Sequence, residues 1–283
     1  MYWFLFKKKM KLLFRALFRA QEKSIAKLIV GIVVLSIFFF GAYYLFFWMF
    51  DYLVTVQDIG IMLIDKVISI GFLALGMLLI VSNIITSIST LYRSDETSFL
   101  FSTPLSYNEV FFARFIDNLF FSSWATLVIG IPLFLAYARV HSFPIHFYII
   151  VAFIIFIPFI LIPAYIGVAL SMLFFITAKR FGLKRVLIFL GIAAAFAVFF
   201  ILRYGSTASL LLNIEGDIVS LNYFLKNLGT TTHPFLPNNW IVETLRGFRY
   251  GNTDSILLHS SLLLSSSAAL WVLLSGFVSH LYY

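Results

Sequence analysis

Six stretches of this chain contain no Asp, Glu, Lys or Arg: Leu28 to Phe50, Val67 to Tyr92, Asn118 to Ala138, Phe147 to Ile176, Val186 to Leu202 and Ile256 to Val278. A helix needs about 20 apolar residues to cross roughly 30 Å of bilayer hydrocarbon. Five of the runs reach that length, and the small residues of the shorter Val186 to Leu202 run mark it as a packed span. Lipid offers no partner for a backbone N–H or C=O, so each run must satisfy its own as a helix. A soluble globule is excluded, because 62% of the residues are hydrophobic and 11% charged, against about 25% charged in an average soluble domain. One core cannot hide that much apolar surface. The expected fold is all-α: a polytopic membrane protein with six transmembrane helices in a single domain over residues 1–283. Pro158 and Pro163 should kink the fourth span, with neighbouring helices satisfying the freed carbonyls.

Orientation follows from the Lys and Arg that flank the spans. Fourteen of the twenty fall on one side, in the N-terminal segment, the stretch from Arg93 to Arg114 and the loop from Lys179 to Arg185. Lys66, Arg139, Arg203, Lys226, Arg246 and Arg249 fall on the other. The positive-inside bias therefore places both termini in the cytoplasm, and Asp51, Asp58 and Asp65 should face out. The net charge of +8 sets this orientation and does not mark a nucleic-acid surface, because no basic groove interleaved with aromatics occurs in polar surroundings. The apolar stretch after Lys11 is too long for a signal-peptide core and has no small-residue cleavage pattern.

Three segments lie outside the spans. In residues 1–27, Lys7, Lys11, Arg15, Arg19, Lys23 and Lys27 recur every four residues, as neighbours on one helical ridge, with Met10, Leu13, Phe14 and Leu17 on the opposite side. This is the pattern of an amphipathic helix in the cytoplasmic interface, basic toward anionic lipid headgroups; a plain topology anchor is the alternative. In residues 93–117, Ser94 can cap a short helix with Asp95 and Glu96 in its first turn. Pro104 stops that helix, and Ser106 with Glu109 forms a capping box that starts the next one. The triplet Phe99, Leu100 and Phe101 is left needing cover from lipid, the protein's own helices or a partner. In residues 203–255 two short helices are expected over the outer mouth. The first runs over Leu221 to Leu228; the second is capped by Asn239, with Glu243 near its start and Arg246 and Arg249 near its end.

Recognisable chemistry is absent from the sequence. There is no G-x-x-x-x-G-K-[ST] phosphate loop, no H-E-x-x-H, no G-x-S-x-G and no cysteine, so neither an enzyme nor a bound cofactor or metal is expected. His141 and His146 share an outer loop without carboxylates. Asn83, Ser82, Ser87 and Ser89 in the second span, and Ser265 to Ser267 in the sixth, suit hydrogen-bonded helix packing. Gly167 with Ser171 and Gly191 with Ala195 have the spacing of closely approaching helices. No ionisable residue sits at the centre of a run, which counts against proton-coupled transport.

The basic N-terminal helix, the six spans, the loop Phe99-Leu100-Phe101-Ser102-Thr103-Pro104-Leu105-Ser106 and the stretch Leu236-Pro237-Asn238-Asn239-Trp240-Ile241-Val242-Glu243-Thr244-Leu245 together resemble the permease subunit of bacterial type-2 ABC exporters. The resemblance covers the whole chain through short, degenerate motifs. It implies a separate ATP-binding subunit as partner, with Asp95, Glu96, Phe99, Leu100, Phe101, Pro104 and Leu105 on a coupling helix that docks on it. It also implies a location in the bacterial plasma membrane among membrane lipids, with either a second permease half or a second copy of the chain to complete the transporter. A secondary transporter, a membrane enzyme and a structural anchor are the alternatives. Aromatic and aliphatic pathway walls suit lipids, hydrophobic peptides and drugs alike.

Overall fold

The computed structural model describes residues 22–56, 59–92, 107–182, 184–185, 188 and 233–281. Among them the chain is helical with no strand: α1 (Glu22–Thr55), α2 (Gly60–Ser87) continued by a π-helical turn (Ile88–Tyr92), α3 (Tyr107–Val140), α4 (Ile145–Ile150), a second π-helical turn (Val151–Phe156), α5 (Ile157–Phe181), α6 (Pro237–Tyr250) and α7 (Thr253–Leu281). Five stretches are long and apolar enough to cross a membrane: Ile29–Thr55, Gly60–Thr90, Asn108–Val140, Ile145–Phe181 and Thr253–Val278. The protein is an all-α polytopic membrane protein. The span expected over Val186 to Leu202, apart from Ile188, the basic ridge of residues 1–21 and the helix expected over Leu221 to Leu228 lie outside the described residues.

Short turns join α1 to α2 and α3 to α4, so consecutive long helices run antiparallel and α6 lies at the end of the bundle that holds these turns. α1 packs on α3, α2 packs between α3 and α5, and α7 packs on α5. The larger core lies toward that end, where Phe50, Phe72, Phe134, Tyr137, Phe147 and Phe159 are buried with Ile241 and Leu245 of α6. A smaller core at the opposite end joins Phe111 and Phe115 of α3, Val168 and Met172 of α5 and Leu274 and Val278 of α7. The outward sides stay apolar and exposed, as at Phe38 and Trp48 on α1 and Val272 on α7, which suits a lipid solvent.

The kink expected in the fourth span takes a specific form. Pro158 opens α5 directly after the Val151–Phe156 π-helical turn. An α-helical turn there would drive the Pro158 ring into the carbonyl of residue 154, and the wider π turn relieves that overlap. Pro132 and Pro163 are carried inside α3 and α5.

Several boundaries differ from the sequence expectation: α1 runs from Glu22 past Asp51 to Thr55, beyond the first span's expected end at Phe50. The third span and the re-entry helix before it are one helix, because α3 starts at Tyr107, with Glu109 in its first turn, and runs through Arg114 and Asp117. These two charges do not end the helix, since Arg114 Nη1 meets Asp117 Oδ2 one turn away at 3.2 Å. The second span's helix begins at Gly60 and takes in Asp65, which is buried against Arg246 and Arg249, residues expected on the same side of the membrane. Asn239 is not a cap: α6 starts two residues earlier, with Leu236 extended at the N-cap and Pro237 at the first helical position, where its missing N–H costs no hydrogen bond.

Candidate functional site

The residues expected to dock a partner, Asp95, Glu96, Phe99, Leu100, Phe101, Pro104 and Leu105, lie outside the described residues. The structure shows the two stems that carry their loop, the end of α2 and the start of α3. A polar seam binds these stems along their facing sides. The Thr86 hydroxyl donates to Asn118 Oδ1 at 2.5 Å, Asn118 Nδ2 donates to Asn83 Oδ1 at 2.7 Å, and Ser122 Oγ donates to the same oxygen at 2.8 Å. Asn83 Nδ2 closes the chain on the Leu79 carbonyl at 2.8 Å. Asn83 and Asn118 are fully buried, so each amide must be satisfied by protein groups, and the seam does this across two helices. The packing role read for Asn83 from the sequence is what the structure shows. Asn118 went unremarked because it stands at the edge of an uncharged run.

α5 closes on the seam from the other side. A Cβ placed on Gly167 would lie 2.7 Å from the Asn83 Cβ and 2.8 Å from the Ile80 carbonyl oxygen, so only glycine permits this approach. Gly167→Val is therefore expected to push α5 off α2. Overpacking of this kind costs about 1–3 kcal/mol, and thermal unfolding in detergent should show a lowered midpoint. An unchanged midpoint would mean that the two helices are not held at this distance.

The opposite end of the bundle carries a buried ion cluster that no local sequence pattern announces. Asp65 on α2 receives Arg246 Nη2 at 3.2 Å and Arg246 Nε at 3.3 Å on one oxygen, and Arg249 Nη2 on the other. Arg249 also donates to the Tyr137 hydroxyl from Nη2 at 2.7 Å and Nε at 3.2 Å, and Arg246 Nη1 holds Glu243 at 2.8 Å. The Arg249 and Asp65 side chains are 8% and 9% exposed, whereas Arg246 is 43% exposed. The Arg249 to Asp65 bond is therefore the desolvated part of the cluster and the Arg246 bonds its wet rim. Burial alone lowers the Arg249 pKa, but Tyr137 and Asp65 together hold it above its ordinary value, and the guanidinium stays charged.

Local sequence explains how α6 reaches this position. Ile241, Val242 and Leu245 line its buried side, and Arg246 and Arg249, three residues apart, follow on the same face toward α2. Asn238 Nδ2 adds a bond to Ser69 Oγ at 2.9 Å. Gly251 then ends α6 with φ 67°, a left-handed conformation that glycine adopts without strain, while the Asn252 N–H returns to the Gly247 carbonyl at 2.9 Å. α6 and the last span are in this way joined by a tight corner.

His141 borders the cluster, its ring 4.5 Å from Tyr137 and 5.6 Å from Phe143. Burial, and secondly the Arg249 charge, push its pKa down to about 4. A folded-state value below the unfolded one means that the neutral ring's contribution to stability is complete above pH 6.5 and is lost as pH falls from 6.5 toward 4. His141→Phe is expected to remove that part of the acid sensitivity, measured as the unfolding midpoint across this range; identical pH profiles would refute it. No group of three or more metal-ligating side chains forms among the described residues.

The family model described as "Putative ATP-binding cassette" matches residues 19–283. The chain belongs to this family. No curated protein and no solved structure matches it. Membership of the ATP-binding-cassette family relates the chain to ABC transporters, and it does so for a sequence of membrane-length apolar helices that has no phosphate loop.

Proposed function

We propose that this chain is the membrane-spanning permease subunit of an ATP-binding-cassette exporter, with ATP bound and hydrolysed on a separate subunit. The observation that carries this reading is a bundle of helices long enough to cross a bilayer, in a chain of the ATP-binding-cassette family that has no G-x-x-x-x-G-K-[ST] loop to hold a nucleotide. The segment from Asp95 to Leu105 is the docking element for the ATP-hydrolysing subunit. It joins stems that the Asn83, Asn118, Ser122 and Thr86 seam makes into one unit, so a push on the loop moves α2 and α3 together, as a rigid-body transition requires. The N-terminal ridge lies against anionic headgroups, both termini are cytoplasmic, and a second half or a second copy completes the pathway. The chain itself is not an enzyme.

Co-purification tests the class directly. The tagged chain, expressed in its native host and extracted in mild detergent, should retain a nucleotide-hydrolysing subunit; its reproducible absence would overturn the permease reading. Orientation is tested independently. Because the chain has no cysteine, single cysteines at Ser94, Lys184, Ser206 and Asn252 can be labelled one at a time. An impermeant thiol reagent on intact cells should reach Ser206→Cys and Asn252→Cys and spare Ser94→Cys and Lys184→Cys. The opposite pattern would put the docking loop outside the cell.

A further inference from the structure

At the end of the bundle that carries the stems of residues 93–106, a groove of about 410 Å³ runs between α3 and α7, lined among the described residues by Asn108, Phe111 and Phe112 on α3 and Trp271 and Ser275 on α7. The two helices run antiparallel, and the Phe112 and Trp271 rings meet at 5.6 Å. Asn108 and Ser275 each lie four residues from these rings toward the same end, which at 1.5 Å per residue sets both about 6 Å nearer the membrane surface. Among the described residues the groove thus has an aromatic floor and a rim of one amide and one hydroxyl. Trp271 is braced by Phe115 and Tyr165, each 5.8 Å away, and the Tyr165 ring stacks on Phe115 at 5.2 Å. The site is therefore pre-formed.

The described lining carries an amide and a hydroxyl as its polar groups and no charged side chain. An apolar chain with an ester or hydroxyl at one end matches both the floor and the rim. The source of such a molecule is the bilayer, because both walls are membrane-length helices and the flanking Val272, Leu273 and Phe277 are exposed apolar residues on α7. We propose that this groove holds one acyl chain of a bilayer phospholipid, with the glycerol-ester region at Asn108 and Ser275, as a bound lipid and not as part of the exchanging annulus. Because Asn108, Phe111 and Phe112 belong to the first turns of α3, the lipid supports the stem of the loop before it. The proposal rests on the membrane-spanning reading of α3 and α7 and not on the permease role.

Native mass spectrometry tests it on the chain alone, so failure to find an ATP-hydrolysing partner leaves this result unaffected. After extraction into mild detergent from vesicles of phosphatidylethanolamine and phosphatidylglycerol, the wild-type chain is expected to keep one phospholipid. Ser275→Trp fills the groove and should lower that retention about tenfold, equivalent to about 1.4 kcal/mol. Asn108 is exposed, so Asn108→Leu spares the fold, removes half of the polar rim and should also lower retention. A wild-type chain without bound lipid, or an Asn108→Leu chain that keeps as much as wild type, would overturn the assignment whether or not Ser275→Trp folds.

Discussion

Asp65→Ala is expected to destabilise the protein by about 3–5 kcal/mol, the usual cost of removing one member of a buried ion pair. The substitution leaves Arg249, 8% exposed, with the Tyr137 hydroxyl as its polar contact and no counter-ion. Arg246 loses less, since it is half-exposed and keeps Glu243. In thermal unfolding a loss of this size lowers the midpoint by on the order of 10 °C. Arg249→Met should cost less, because the Asp65 carboxylate keeps both of its bonds from Arg246. The double variant Asp65→Leu, Arg249→Met should recover much of the loss, because an apolar pair needs no desolvated charge. Additive losses in the double variant would show that the two residues act separately.

Under the permease reading, Leu100→Glu with Phe101→Glu is expected to abolish retention of the ATP-hydrolysing subunit while leaving the bundle intact. Each buried apolar side chain contributes roughly 1.5–3 kcal/mol, and each carboxylate forced into the interface adds several more. Together these amount to orders of magnitude in affinity. Pull-down in detergent, alongside expression level and gel-filtration profile, reads the effect. A well-expressed double variant that holds its partner normally would refute the docking role. Collapse of expression would refute it as well, by showing that these residues pack against the protein's own helices.

Long spans were readable from the sequence because the signal is additive: some twenty uncharged residues in a row outweigh any local preference. The same rule erred where a charge was satisfied at short range. Asp117 looked like the end of a span, yet Arg114, three residues earlier on the same helix, pairs with it inside α3. The burial of Asp65 was not readable for the opposite reason, since its partners Arg246 and Arg249 stand 181 and 184 residues away and no local pattern points to them. Asn239 is a good capping residue in isolation. Pro237 won the helix start because its fixed φ suits the first helical position. The packing function of Asn83 was legible from its lone amide in an apolar run; its partner Asn118 became identifiable only when α2 and α3 were seen side by side.

The separation between Asp65 and its partners also bears on how the protein is made. α2 is synthesised with its carboxylate near the start of a membrane-length helix, and Arg246 follows 181 residues later. At about 5–20 residues per second, the ribosome takes roughly 10–40 s to deliver it. During that interval the half-made chain holds an acidic group with no counter-ion, at a place where the finished protein has almost no water. The nascent chain therefore needs a sheltering neighbour for Asp65 until α6 arrives. α6 then closes an assembly step that was opened by α2.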